Sequence, residues 1–146
     1  QDMADGERLI RATDHFAVLA PFAARSAFET LIVPRRHGSS YERAVTDEFV
    51  SDLAELLRGY FRTLADSLAD PPFEMTLYTS PNVAAQILPE EWSTLAEDYH
   101  WHLEVTLDPY RRARIGGIYV NETPPEEAAR VLREAWSSLP DHEEPR

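Results

Sequence analysis

Residues 98–108 read Asp-Tyr-His-Trp-His-Leu-Glu-Val-Thr-Leu-Asp. Its side chains alternate strictly between apolar and polar. Because successive side chains of a β-strand point to opposite faces, the alternation predicts a strand with one buried and one open face. The predicted buried face carries Tyr99, Trp101, Leu103, Val105 and Leu107, and the predicted open face carries His100, His102, Glu104, Thr106 and Asp108.

The open face of this strand presents a row of two imidazoles and a carboxylate, from His100, His102 and Glu104. Neighbours on one face of a strand lie about 6.5–7 Å apart, since the rise is about 3.3 Å per residue. Such a row can ligate a metal, because imidazole and carboxylate suit zinc or iron. It can also attack a phosphate through an imidazole, or it can be an ordinary hydrated surface. The residues alone leave all three interpretations open.

The composition narrows the class of protein. The chain has 146 residues, which fits one domain with a single core. Its formal net charge is −12, and all of its 14 basic residues are arginine. So acidic a chain is expected to bind neither nucleic acid nor an anionic membrane. It has no cysteine and no apolar stretch long enough to span a bilayer, so we expect a cytoplasmic protein. Residue 1 is Gln rather than Met, which is compatible with a fragment of something longer.

The order of the predicted elements indicates an α+β fold, with one antiparallel sheet of about five strands packed against one long and one shorter helix. A single domain is expected over residues 15–139, preceded by a flexible lead-in at 1–14 and followed by an acidic tail at 140–146. Predicted strands cover residues 15–21, 27–33, 73–79, 99–107 and 115–120, with a helical turn near 89–92.

Two helices carry distinct sequence signals. Residues 47–68 repeat apolar side chains at spacings of three and four, and Thr46 is the predicted N-cap. The second helix is predicted from the capping box Thr123-Pro124-Pro125-Glu126, with Thr123 as N-cap and Pro124 at the first helical position. The helix at residues 47–68 is scaffold in this interpretation.

Several motifs, in the same order, resemble those of galactose-1-phosphate uridylyltransferases, which are members of the histidine-triad superfamily. The resemblance covers about residues 15–136 and is to the carboxy-terminal half of the family's two-lobed chain. The motifs are Ala20-Pro21-Phe22-Ala23-Ala24-Arg25, Phe28-Glu29, Val33-Pro34-Arg35-Arg36-His37, Thr46-Asp47-Glu48, Tyr99-His100-Trp101-His102-Leu103-Glu104, and Gly117-Ile118-Tyr119-Val120-Asn121 with Pro124-Pro125-Glu126-Glu127-Ala128-Ala129.

The resemblance implies a histidine-triad-like fold and a nucleotidyl-transfer reaction. The family moves a uridylyl group between UDP-hexose and hexose 1-phosphate through a covalent uridylyl-histidine. Its nucleophile lies in a His-Pro-His motif of the amino-terminal half, and this chain has no such motif. His102 occupies the corresponding place in this half, and Glu104 stands where a single-domain histidine-triad protein carries a third histidine. No glycine lies between Pro71 and His100, where a phosphate cradle would be expected.

The candidate site residues follow from this resemblance. His102 is the candidate nucleophile. His100, His102 and Glu104, with His37 as a further candidate, are the predicted ligands of a zinc or iron ion. The predicted contacts to substrate are Arg35, Arg36, Gly116, Gly117, Tyr119 and Asn121.

The leading functional hypothesis is a lobe of a nucleotidyltransferase in galactose metabolism that acts on sugar 1-phosphates, with its nucleophile outside this chain. The expected partners are a nucleotide sugar or sugar phosphate and an amino-terminal lobe or second subunit, and we expect a homodimer. One alternative is a non-catalytic binding or dimerisation module that retains the fold. The other is a stand-alone nucleotide hydrolase or transferase that uses His102.

Overall fold

The computed structural model describes residues 6–81, 93–107, 114–115 and 118–140. Within them, one five-stranded antiparallel sheet packs against helices, as the α+β class predicted. The elements are β1 (Leu9–Ala12), β2 (Phe16–Leu19), β3 (Thr30–Pro34), α1 (Tyr41–Ala44), α2 (Asp47–Leu68), β4 (Phe73–Tyr78), α3 (Leu95–Asp98), β5 (His102–Leu107), β6 (Arg114–Ile115), β7 (Ile118–Tyr119) and α4 (Pro125–Ser137).

The strand order is β1-β2-β3-β5-β4, so β5 lies inside the sheet, between β3 and β4. Leu103 lies opposite Ile32 on one side and Leu77 on the other. The strand is shorter than predicted, because Tyr99 closes α3 and its N–H donates to the Leu95 carbonyl. Trp101 precedes β5 and is fully buried, and its N–H donates to the carbonyl of Gly38.

The burial of β5 follows the predicted alternation with one exception. Leu103, Val105 and Leu107 are buried, whereas His102 and Glu104 are half-buried. Thr106 was predicted on the open face but is 2% exposed. The predicted neighbour Asp108 lies outside the described residues.

The fifth strand of the sheet is β1, so residues 9–12, which fall within the stretch expected to be a flexible lead-in, are part of the sheet. β1 pairs antiparallel with β2, and Ile10 joins the core with 3% exposure. The strand has four residues and a register irregularity between Leu9 and Arg11. Because so short an edge strand buries only one face, its sequence carries little alternation to recognise.

The predicted strand at 115–120 is also corrected. Among the described residues, β6 and β7 pair with each other as a separate two-stranded sheet, with Ile115 opposite Ile118. The glycines that were expected to mark a bulge, Gly116 and Gly117, lie outside the described residues, as does the predicted helical turn near 89–92.

Helix α2 has the predicted bounds. The hydroxyl of Thr46 accepts a hydrogen bond from the Phe49 N–H at 3.2 Å, which satisfies one of the free donors of the first turn. At its other end, Ala69 and Asp70 adopt left-handed backbone angles, and Pro71 and Pro72 prevent continuation.

Helix α4 begins one residue later than predicted and lacks the capping box. Pro124 is the N-cap, and it offers no side-chain hydrogen bond. Thr123 is part of the preceding turn instead, where its N–H donates to the side-chain oxygen of Asn121 at 3.0 Å. The hydrogen bond between Asn121 and Thr123 therefore forms in place of the predicted helix cap at Thr123.

The core lies between the sheet and the two longer helices. Its largest fully buried side chains come from all of these elements: Trp101, Tyr60, Phe16, Ile32 and Leu132. Near its edge α2 and α4 approach closely, since a methyl group at Gly59 would lie 2.9 Å from the Trp136 ring. None of the helices in the described ranges has the length and apolar character needed to cross a membrane.

We therefore expect Gly59→Ala to destabilise the protein although alanine is the better helix former. Helix propensity favours alanine by about 1 kcal/mol, whereas displacing a packed indole costs about 1–3 kcal/mol. The predicted net loss in the free energy of unfolding is on the order of 1 kcal/mol, measured by urea denaturation. Ser67→Ala, at an exposed position of the same helix, is the control. An alanine variant as stable as the wild type would contradict the close packing.

Candidate functional site

His102 and Tyr78 face each other across the β5–β4 pair. Their rings stack with centroids 5.1 Å apart and an interplanar angle of 18°. Nδ1 of His102 lies 3.0 Å from the carbonyl oxygen of His100. Because a carbonyl can only accept, Nδ1 carries the proton, and the lone pair of the neutral ring lies on Nε2. His102 thus has the tautomer that a nucleophile or a metal ligand needs.

His100 lies against a different neighbour, the ring of His37, with centroids 5.3 Å apart. Its Nε2 is buried and has no hydrogen-bond partner within the described part of the chain. Burial lowers the pKa of His100, and the charge of His37 lowers that pKa further. The structure therefore favours the neutral form of this imidazole.

The third predicted member of the row, Glu104, is held by an arginine. Arg25 forms an ion pair with Glu104 and a second one with Glu29, where Nη2 lies 2.5 Å from Oε1. Nε of Arg25 also donates to Glu29 Oε1 at 2.9 Å, which gives a charge-assisted clamp. Glu29 is 4% exposed, so one guanidinium compensates a buried and a half-buried carboxylate.

The loop that carries Arg25 is fixed by Asn121. The amide of Asn121 donates to the carbonyls of Ser26 at 3.2 Å and Ala24 at 3.4 Å. Phe28, in the same loop, has a φ of 59°, which is uncommon for an aromatic residue. The observed contacts of Asn121 hold the loop that carries Arg25. The predicted contact of Asn121 with substrate stays a prediction.

Sequence reasoning missed Arg25 and Glu29 as site residues. The only local signal was an arginine and a glutamate four residues apart. That spacing suggests an ion pair on a helix, whereas both residues lie in the non-helical segment that precedes β3. Their meeting with Glu104, 79 residues from Arg25, depends on tertiary structure.

Arg35 and Arg36, the two arginines predicted to contact substrate, lie in different surroundings. Arg35 donates from Nη1 to the carbonyl of Thr13 at 2.9 Å, so it braces the β1–β2 turn. Arg36 lines a cavity of about 360 Å³ together with His37. Tyr119 lies in β7 opposite Arg114, and the predicted contacts Gly116 and Gly117 lie outside the described residues.

Two of the three side chains predicted to bind zinc or iron have a suitable donor atom. Among the residues that the structure describes, no three His, Asp or Glu side chains converge as a metal site. Nε2 of His100 and of His102 are suitable donors, but the carboxylate of Glu104 is paired with Arg25. Ligation by His100, His102 and Glu104 stays a prediction, as does the nucleophilic role of His102.

This architecture defines a histidine-triad-like domain. A zinc-bound histidine-triad protein from Mycobacterium smegmatis superposes with a TM-score of 0.57 over 88% of this chain and 83% of its own, at 19% identity. That likeness concerns the fold alone. No protein-family model matches the chain.

The sequence relatives are more specific. The chain is 35% identical over 130 residues to ADP-glucose phosphorylase of Arabidopsis thaliana, and 30% identical over 142 residues to galactose-1-phosphate uridylyltransferase of Thermotoga maritima. These alignments cover 86% and 88% of this chain, but only 34% and 41% of the relatives. The Arabidopsis phosphorylase, solved with bound ADP-glucose, superposes with a TM-score of 0.74 over 90% of this chain and 42% of its own, at 29% identity.

The predicted resemblance to galactose-1-phosphate uridylyltransferases is thereby confirmed. The chain is similar to nucleotidyltransferases of sugar phosphates, and it spans between a third and a half of the length of the curated relatives it matches.

The state of His100 predicts a pH dependence of stability. Its folded pKa lies below the usual 6.5, so the unfolded chain binds this proton more readily. The resulting stability is present above pH 6.5 and is lost as the pH falls through that value. The free energy of unfolding should therefore decrease between about pH 7.5 and about pH 5.5 in urea denaturation.

Two variants separate the causes of that slope. His100→Gln should remove this component, whereas His37→Gln should retain most of it, since burial is the larger cause. A slope unchanged by His100→Gln would mean that other groups produce it.

Proposed function

We propose that this chain is one lobe of a nucleotidyltransferase that acts on sugar 1-phosphates, with the nucleophilic histidine outside residues 1–146. The supporting observation is that its relatives with these names are more than twice its length, while the alignments cover most of this chain. In the proposed reaction, an imidazole attacks the α-phosphorus of a nucleotide sugar. The bond to the hexose 1-phosphate breaks, that group departs, and a second sugar phosphate then takes the nucleotidyl group from the histidine.

The uncovered edge of the sheet supports a second lobe as partner. β4 pairs with β5 on one side, and its other side is unpaired among the described residues. Phe73, Met75 and Leu77 lie opposite buried residues of β5, yet they are 47%, 43% and 41% exposed. An edge strand with exposed apolar side chains is a site for pairing with another chain segment. We propose that a further lobe continues the sheet at β4, and a second copy of this chain is the alternative occupant.

Within this proposal, the chain supplies polar side chains that contact the substrate. His102 stacks on Tyr78 with its lone pair on Nε2, and Glu104 is fixed nearby by Arg25. These groups can accept hydrogen bonds from a sugar or ribose without forming a covalent bond. ADP-glucose and UDP-glucose are the substrates to try first, since relatives include an ADP-glucose phosphorylase and a galactose-1-phosphate uridylyltransferase. A role in galactose metabolism, a homodimer and a cytoplasmic location stay predictions.

A stand-alone transferase that uses His102 is the second candidate function. The observation that favours it is the tautomer of His102, since a neutral imidazole with a free Nε2 is ready for nucleophilic attack.

Transfer of radiolabel separates these functions. The native protein, with every polypeptide that accompanies this sequence, is incubated with UDP-glucose or ADP-glucose labelled at the α-phosphate. The proposal predicts label on a histidine outside residues 1–146 and retention of that label in His102→Ala. The 146-residue chain alone should take up none.

Two outcomes would contradict the proposal. Label on the isolated chain that disappears in His102→Ala but persists in His100→Ala would favour the stand-alone enzyme. No label on the native protein with either nucleotide sugar would favour a non-catalytic module.

A further inference from the structure

A cavity of about 360 Å³ lies between the segment that follows β3 and the start of α2. We call it the arginine cavity. It is lined by His15, Pro34, Arg36, His37, Gly38, Arg43, Ala44, Thr46 and Phe49. His100, His102 and Glu104 do not line it, but it adjoins their row, because His37 in its wall lies 5.3 Å from the His100 ring, centroid to centroid.

The ionisable residues that line the arginine cavity are all basic. Two arginines and two histidines are among its lining residues, and none of the described residues that line it is acidic. This contrasts with the whole chain, which has 26 acidic and 14 basic residues. A basic cavity in a protein of net charge −12 concentrates positive potential at one place and favours an anion there.

The two arginines are available to a ligand. Neither Arg36 nor Arg43 forms an ion pair or a hydrogen bond through its side chain within the described part of the chain, and both are exposed. Glu42 interacts electrostatically with Arg43, but its carboxylate accepts hydrogen bonds from Ser40 at 2.5 Å and Thr79 at 3.4 Å. The carboxylate of Glu42 is therefore already hydrogen-bonded to two hydroxyl groups.

The floor of the cavity is apolar and rigid. Pro34 is buried at the end of β3, and Phe49 is 7% exposed in the first turns of α2. The ring centroid of Phe49 lies 4.5 Å from that of Phe16 and 6.0 Å from that of His15. This packing holds the imidazole of His15 in the wall of the cavity. Basic groups at the rim over an apolar floor suit a small organic anion better than a bare hydrated ion.

We propose that the arginine cavity binds a small phosphate monoester. A guanidinium group recognises phosphate through paired N–H donors, and two of them at one rim can hold opposite sides of a phosphate group. The volume lies at the lower end of the range for small-molecule sites, about 300–1,000 Å³, so it accommodates a phosphate with a small organic group. This second anion site goes beyond the proposed transfer reaction and does not depend on it.

Binding can be measured on the 146-residue chain without any turnover. The probes are inorganic phosphate, glucose 1-phosphate and AMP, titrated at constant ionic strength and followed by the NMR signals of the histidine rings. We expect saturable shifts of His15 and His37 with phosphate and glucose 1-phosphate, and none with glucose. Arg36→Gln and Arg43→Gln should each weaken binding about tenfold, since a charge-assisted hydrogen bond is lost.

The matched control is Arg62→Gln, which makes the same charge change on α2 away from the cavity and should leave the affinity unchanged. A linear response that never saturates would overturn the proposal, as would equal binding by the wild type and both cavity variants. Tighter binding of glucose 1-phosphate would identify a sugar phosphate as the ligand, and tighter binding of AMP a nucleotide. Neither result depends on whether the native protein transfers a nucleotidyl group, so this proposal and the proposed function can fail separately.

Discussion

The structure depends on the burial of one face of β5 between β3 and β4. Leu103, Val105 and Leu107 turn into the core, and each fully buried aliphatic side chain of this kind stabilises the fold by about 1.5–3 kcal/mol. A register slip of one residue would place His102 and Glu104 in the core and expose the leucines. The same constraint that builds the core therefore sets the positions of the polar side chains that make up the candidate site.

Around β5, the polar side chains are fixed by contacts from distant parts of the chain. Arg25 connects Glu29, which immediately precedes β3, with Glu104 on β5, and Asn121 holds the loop from which Arg25 extends. A buried carboxylate such as Glu29 is costly unless it is paired, so this clamp keeps the loop close to the sheet. On the neighbouring strand pair, Tyr78 covers one side of the His102 ring. The candidate site is thus rigid on one side and open towards the exposed edge at β4.

The elements with a strong local sequence pattern could be predicted, and those with a weak one could not. Helix α2 could be predicted to the residue, because 22 residues of apolar periodicity and a threonine cap agree. The alternation of β5 was equally informative, although the buried Thr106 shows that a threonine fits either face. β1 could not be predicted, since four residues with one buried side chain carry almost no pattern. The N-terminus of α4 was misplaced because Asn121 binds the backbone of Thr123. The arginine clamp required contacts across 79 residues, which no local pattern reveals.

In the structure, β5 pairs with β4 in the register that places His102 beside Tyr78. Cross-strand nuclear Overhauser effects measure this directly. Contacts are expected between the backbones of Met75 and Val105 and of Leu77 and Leu103, and between the rings of Tyr78 and His102. Contacts displaced by one residue, or a His102 ring near the side chains of Ile32 or Leu56 in the core, would contradict it.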